Sequence, residues 1–172
     1  GMPLAGALTA FACVTAWLLT KSKRKDNDAT TLYWRLSLAS LSASALLYLL
    51  PPDEMAALAT GVMFVAGFAM GAVNGMLYKI VPFLLWYHMQ QDPRASKANV
   101  LPIRTILPEA KGRRQFWWHC AALLALLAAV AWPAWLARPA ALLLAIASLQ
   151  LALDLGGAAV RCLRAQAQFQ PS

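Results

Sequence analysis

From Met55 to His88 the chain runs for 34 residues with one formal charge, Lys79, and no acidic residue. As a helix this run would be roughly 51 Å long, at about 1.5 Å per residue, against a hydrocarbon core of roughly 30 Å. A small water-soluble globule has no interior that could swallow it, so the run points to lipid as its solvent. It is also too long for one straight perpendicular crossing. Gly75 and Pro82 are the expected points of interruption, because proline removes a backbone hydrogen bond and clashes one turn back.

The rest of the sequence conforms to this reading. Of 172 residues, 60% are apolar and only 13% charged, which leaves too little polar surface for a soluble domain. Further apolar runs cover about 3–20, 33–50, 116–137 and 139–163. Together they predict an all-α polytopic transmembrane helix bundle of five spans in a single domain, its third span long and broken near Gly75/Pro82. Helices rather than barrel strands follow from the alanine and leucine content and from the need to satisfy every backbone group in lipid.

The net charge of +8 falls in short blocks between the apolar runs, which is a topology signal and excludes a nucleic-acid-binding face. Lys21, Lys23, Arg24 and Lys25 follow the first run. Arg94, Lys97, Arg104, Lys111, Arg113 and Arg114 lie between the third and fourth, and Arg161 and Arg164 close the last. The alternate connections are Pro51-Pro-Asp-Glu54, without a basic residue, and a tight turn expected at Arg138-Pro139. The basic side is therefore expected in the cytoplasm and the amino end outside. No basic block precedes the first run, so it is not a secretory signal. An odd number of spans and a first residue that is not methionine suggest the carboxy-terminal portion of a larger chain. The expected partners are the lipid bilayer and further helices of that chain or of an oligomer.

Gly67, Gly71 and Gly75 recur four residues apart and, with Asn74, mark a smooth helix-packing groove. Carried on at the same spacing, the stripe reaches Lys79, Pro82 and Trp86, which would turn Lys79 inward. In the last run Gln150, Asp154, Gly157 and Arg161 share a face. Lys79 and Asp154 are expected to pair or share water inside the membrane; the competing arrangement links Asp154 to Arg161 and lets Lys79 snorkel to the headgroups. Asp53 and Glu54 are placed to cap the third helix. His88 and His119, the two histidines, are candidate haem or metal ligands, set against a simpler role at the headgroup level. Cys13, Cys120 and Cys162 have no disulfide or zinc spacing. No catalytic triad, phosphate loop or carboxylate pair is present, so an enzyme is not indicated.

The segment Gly75-Met-Leu-Tyr-Lys-Ile-Val-Pro-Phe-Leu-Leu-Trp-Tyr-His-Met-Gln90, with Ile106-Leu-Pro108 and Arg113-Arg-Gln-Phe-Trp-Trp-His119, resembles the carboxy-terminal part of a group of proteobacterial polytopic inner-membrane proteins. That group is similar in layout to haem-copper oxidase subunit I and to haem-copper nitric-oxide-response membrane proteins. The resemblance implies a larger helical bundle in a bacterial inner membrane, with haem or copper between its helices. Two histidines are fewer than an oxidase centre requires. Three functional expectations follow: a non-enzymatic membrane bundle; a haem- or copper-binding redox or gas-responsive protein using His88 or His119; and a secondary transporter with Lys79 and Asp154 in its path.

Overall fold

The computed structural model describes residues 6, 28–49, 51, 53–91 and 102–167. The expected first span, Gly6 apart, and the basic block after it lie outside the described residues. Among the described residues the chain forms five helices and no strand: α1 (Ala29–Tyr48), α2 (Glu54–Gln91), α3 (Ile103–Ile106), α4 (Glu109–Ala131) and α5 (Pro133–Ala167). Three of them, α2, α4 and α5, are long and apolar enough to cross a membrane by length and composition. That is the pattern of an integral membrane helical protein.

α1 has 20 residues, about 30 Å and thus also the height of a bilayer core, but it is enriched in serine. Its hydroxyls turn back onto their own helix: Ser37 donates to the Tyr33 carbonyl at 2.8 Å, Ser42 to Leu38 at 3.0 Å and Ser44 to Leu41 at 2.8 Å. A serine bonded in this way offers its neighbours little more than the bulk of an alanine.

The irregularity expected at Gly75/Pro82 is elsewhere. α2 is α-helical over Glu54–Val62, π-helical over Met63–Ala69 and α-helical again over Met70–Gln91, where Gly75 and Pro82 are accommodated without interruption. Pro82 is buried on the inner face, and a proline is tolerated where packed neighbours hold the helix around it. The wider π turns disturb the i→i−4 ladder one membrane leaflet earlier. Asp53 stands at the amino-terminal cap of α2 without a side-chain hydrogen bond, so its effect there is that of charge on the helix dipole.

α4 starts at Glu109, seven residues before the expected start of its span, and ends at Ala131. The reversal into α5 falls at Trp132, which has φ −132° and ψ 68°, not at Arg138-Pro139. Pro133 opens α5, a position where a missing N–H costs nothing, and Pro139 lies within the helix. α4 and α5 thus form a tight antiparallel hairpin with Trp132 and Trp135 exposed at its tip.

α1 runs antiparallel to α2, and the glycines set their contact. A Cβ on Gly67 would lie 2.6 Å from the Ser40 Cβ, one on Gly71 2.6 Å from the Ser37 Oγ, and one on Gly75 2.7 Å from the Tyr33 Cβ. α4 closes the third side: a Cβ on Gly112 would stand 2.8 Å from the Ala29 Cβ, and Leu123 and His119 face Gly67 and Gly71. The core is a stack of layers, Ala29/Gly112/Tyr78, then Tyr33/Gly75/Gln115, Ser37/Gly71/His119 and Ser40/Gly67/Leu123. Below it, α3 folds back against the bundle, where Ile106 and Leu107 pack with Met89, Ala158 and Cys162. Ile106 and Leu107, just before Pro108, therefore lie on the bundle itself.

The two kinds of glycine should respond in opposite directions to the same change. Gly75→Ala forces α1 and α2 apart and is expected to cost about 1–3 kcal/mol. Gly156→Ala meets nothing within 4 Å and should gain about 0.5–1 kcal/mol of helix propensity. Thermal unfolding of the two variants in the same detergent would measure both.

Candidate functional site

The interior polar side chains form one seam. Tyr33, Ser37, Ser40, Ser44, Asn74, Gln115, His119 and Asp154 are all buried. α1 contributes the first four from the face that meets the glycines of α2; α2 contributes Asn74; α4 contributes Gln115 and His119 one turn apart; α5 contributes Asp154.

Gln115, 0% exposed, ties three helices together. Its Oε1 accepts a hydrogen bond from the Tyr33 hydroxyl, and its Nε2 donates to the Ala147 carbonyl at 3.0 Å. The Tyr33 ring is held by an edge-on contact with Phe116, centroids 5.2 Å apart, and stacks near Tyr78 at 6.4 Å. Sequence reasoning passed over Tyr33 and Gln115. The available signal was a glutamine four residues before His119, on the same face and next to the apolar run that begins at Phe116, where a side-chain amide must find partners.

At one end of the seam Asp154, 4% exposed, accepts from the Tyr78 hydroxyl at 3.2 Å and pairs with Lys111 Nζ at 3.1 Å, with Arg114 Nη2 at 3.9 Å. The expected partner, Lys79, is exposed, and the inward position is taken by Tyr78. Arg161 does not reach Asp154 either; its Nη2 donates to the Ile106 carbonyl at 2.9 Å. Gln150 and Gly157 are half-buried beside this face. Lys111 lies 20 residues below Ala131, and Asp154 21 residues beyond Pro133. Both therefore sit roughly 30 Å from the hairpin tip, a full hydrocarbon thickness away.

Further along the seam stands His119, 1% exposed and 12 residues from Ala131, so about 18 Å from the tip. It is inside the bundle rather than at the headgroup level. Its Nε2 has no hydrogen-bond partner among the described residues. That nitrogen lies 3.9 Å from where a Cβ on Gly71 would stand, the Tyr33 ring centroid is 5.8 Å from its own, and the Ala66 backbone, in the π turns, is within its reach. The chain makes room for the imidazole but leaves one nitrogen unanswered.

His88 is exposed and lies 17 residues beyond Gly71 on α2, about 25 Å along the axis. The two histidines are not brought together. A macrocycle beside His119 would have to enter a gap that cannot take a methyl group, since a Cβ on Gly71 already meets the Ser37 Oγ at 2.6 Å. No cluster of three or more His, Cys, Asp or Glu side chains occurs among the described residues. Among the described residues, His88 and His119 therefore do not converge on one haem or copper centre. Cys162 is buried and Cys120 half-buried, both as free thiols. No family model, curated protein or solved structure matches the chain.

The ion pair gives a direct test of which lysine matters. Asp154→Leu leaves Lys111 without its carboxylate and should cost about 1–2 kcal/mol, since Lys111 is a third exposed and part of its charge is recovered by water. Adding Lys111→Met should return most of that loss in a double-mutant cycle. Lys79→Met should leave the unfolding temperature unchanged.

Proposed function

We propose that this chain is the helix bundle of a multi-pass inner-membrane protein without catalytic activity, in which the polar seam is scaffold. Its helices cross with the basic ends in the cytoplasm and the amino end outside. α1 and the apolar segment 3–20 cross alongside the three long apolar helices, making five spans. The observation that supports this most is that Tyr33, Ser37, Ser44, Gln115 and Asp154, five of the eight buried polar side chains of the seam, find their partners within the protein. Tyr33, Gln115 and the Ala147 carbonyl close on one another, Ser37 and Ser44 close on their own helix, and Asp154 closes on Lys111 and Tyr78. Such satisfaction is what a stable helix contact in lipid requires. The partners are the surrounding lipid and whatever helices cover the exposed apolar flanks.

Topology is the test. In a background with the three cysteines replaced, Asp53→Cys should react with an impermeant maleimide applied outside spheroplasts, and Arg164→Cys only after permeabilisation. Labelling of both from one side would end this reading.

A carrier is the second reading, and one observation favours it: an unanswered imidazole nitrogen level with a π-helical stretch, two features associated with moving ions or protons through a bundle. Proteoliposomes should then show a proton flux that His119→Leu abolishes without lowering the unfolding temperature. Wild-type flux no greater than that of protein-free vesicles would remove it.

A further inference from the structure

Asp154 is one carboxylate facing two cations. Lys111 Nζ is at hydrogen-bonding distance, but Arg114 Nη2, at 3.9 Å, is not, and its side chain is 60% exposed. A guanidinium carries five N–H donors in a fixed fork that matches phosphate oxygens. Those of Arg114 are still open to an acceptor. Arg113 is exposed beside it. Arg161 does not reach Asp154 and donates from Nη2 to an uncharged carbonyl, that of Ile106. This end of the α4–α5 hairpin therefore holds Lys111, Arg113, Arg114, Arg161 and Arg164 against Glu109 and Asp154.

The same turns of α4 carry Trp117 and Trp118, four residues beyond Arg113 and Arg114 respectively, 65% and 40% exposed. Spacing of i and i+4 puts each indole directly above an arginine on the helix surface, toward the hairpin tip and thus toward hydrocarbon. An arginine fork at the headgroup level beneath an exposed indole is the arrangement that receives a phosphodiester with an acyl chain rising beside the ring.

We propose that the exposed face of the first turns of α4, over the Lys111–Asp154 pair, is a binding site for the phosphate of an anionic phospholipid, gripped by Arg113 and Arg114 and flanked by Trp117 and Trp118. The proposal rests on the membrane reading above. A soluble phosphate shares the headgroup chemistry, but nothing in it would use the indoles; the depth and the tryptophans select the lipid.

The experiment uses the full chain in nanodiscs of phosphatidylcholine, with phosphatidylglycerol, inorganic phosphate or nothing added, read by thermal unfolding and by lipid retention in native mass spectrometry. Phosphatidylglycerol should raise the unfolding temperature of the wild type and remain bound. Arg113→Gln with Arg114→Gln should weaken that binding by roughly thirtyfold, whereas Arg113→Lys with Arg114→Lys should keep part of it. Lys79→Met and Arg138→Gln, each removing one positive charge elsewhere, should leave it intact. Equal phosphatidylglycerol effects on wild type and the double glutamine variant, an equal loss in Lys79→Met, or reproduction of the effect by inorganic phosphate would overturn the site. Failure of the membrane reading looks different: the protein would then stay monodisperse without disc or detergent.

Discussion

The fold depends on how closely α1 and α2 approach. In lipid, helices gain nothing from hiding apolar surface, since the surrounding chains are as apolar as leucine; association relies on close packing and interhelical hydrogen bonds. Gly67, Gly71 and Gly75 remove side chains from one helix where Ser40, Ser37 and Tyr33 project from the other, and the spaces left are smaller than a methyl group. Gly112 does the same between α4 and α1. Once the backbones are this near, Gln115 can span from Tyr33 to Ala147 across three helices. The hydrogen bonds are thus a consequence of the glycines, and a bulkier stripe would leave the amide without partners in a medium that offers none.

How much of this was legible from the residues depended on the periodicity used. The glycine stripe at intervals of four stands out in the sequence and faces α1 in the structure. Extending it by another four, to Lys79, points to the wrong residue. At about 100° per residue each step of four drifts by roughly 40°, so after two such steps the inward direction is recovered by a step of three. That step lands on Tyr78, and Lys79 turns outward.

Helix limits account for the other displaced expectations. Glu109 to Gln115 reads as connector because it is charged, yet it forms the opening turns of α4; counting the span from Phe116 puts His119 at its edge, whereas counting from Glu109 puts it near the middle. Arg138-Pro139 reads as a turn because a charge and a proline coincide. Pro133, only one residue after Trp132, already supplies the break and is better suited to open a helix. The π segment has no such marker. Met63–Ala69 is an apolar stretch of ordinary composition that packs against α1 and α4, and nothing in its local propensities marks the altered register.

Depth then decides what kind of group Asp154 can be. A carboxylate at the centre of a bilayer, paired with a lysine at equal depth, would have to offset two desolvation penalties. In the proposed membrane arrangement, roughly 30 Å from Trp132 puts both charges where hydrocarbon gives way to headgroups, and Lys111 keeps a third of its side chain exposed. The pair can be partly hydrated, so the carboxylate and its tyrosine partner close the seam at little cost. His119 has no such outlet. It lies about two further turns into the bundle on the same helix, buried against Gly71 with one nitrogen unanswered. That contrast makes the imidazole, rather than the acid, the interior polar group whose presence stability alone does not explain.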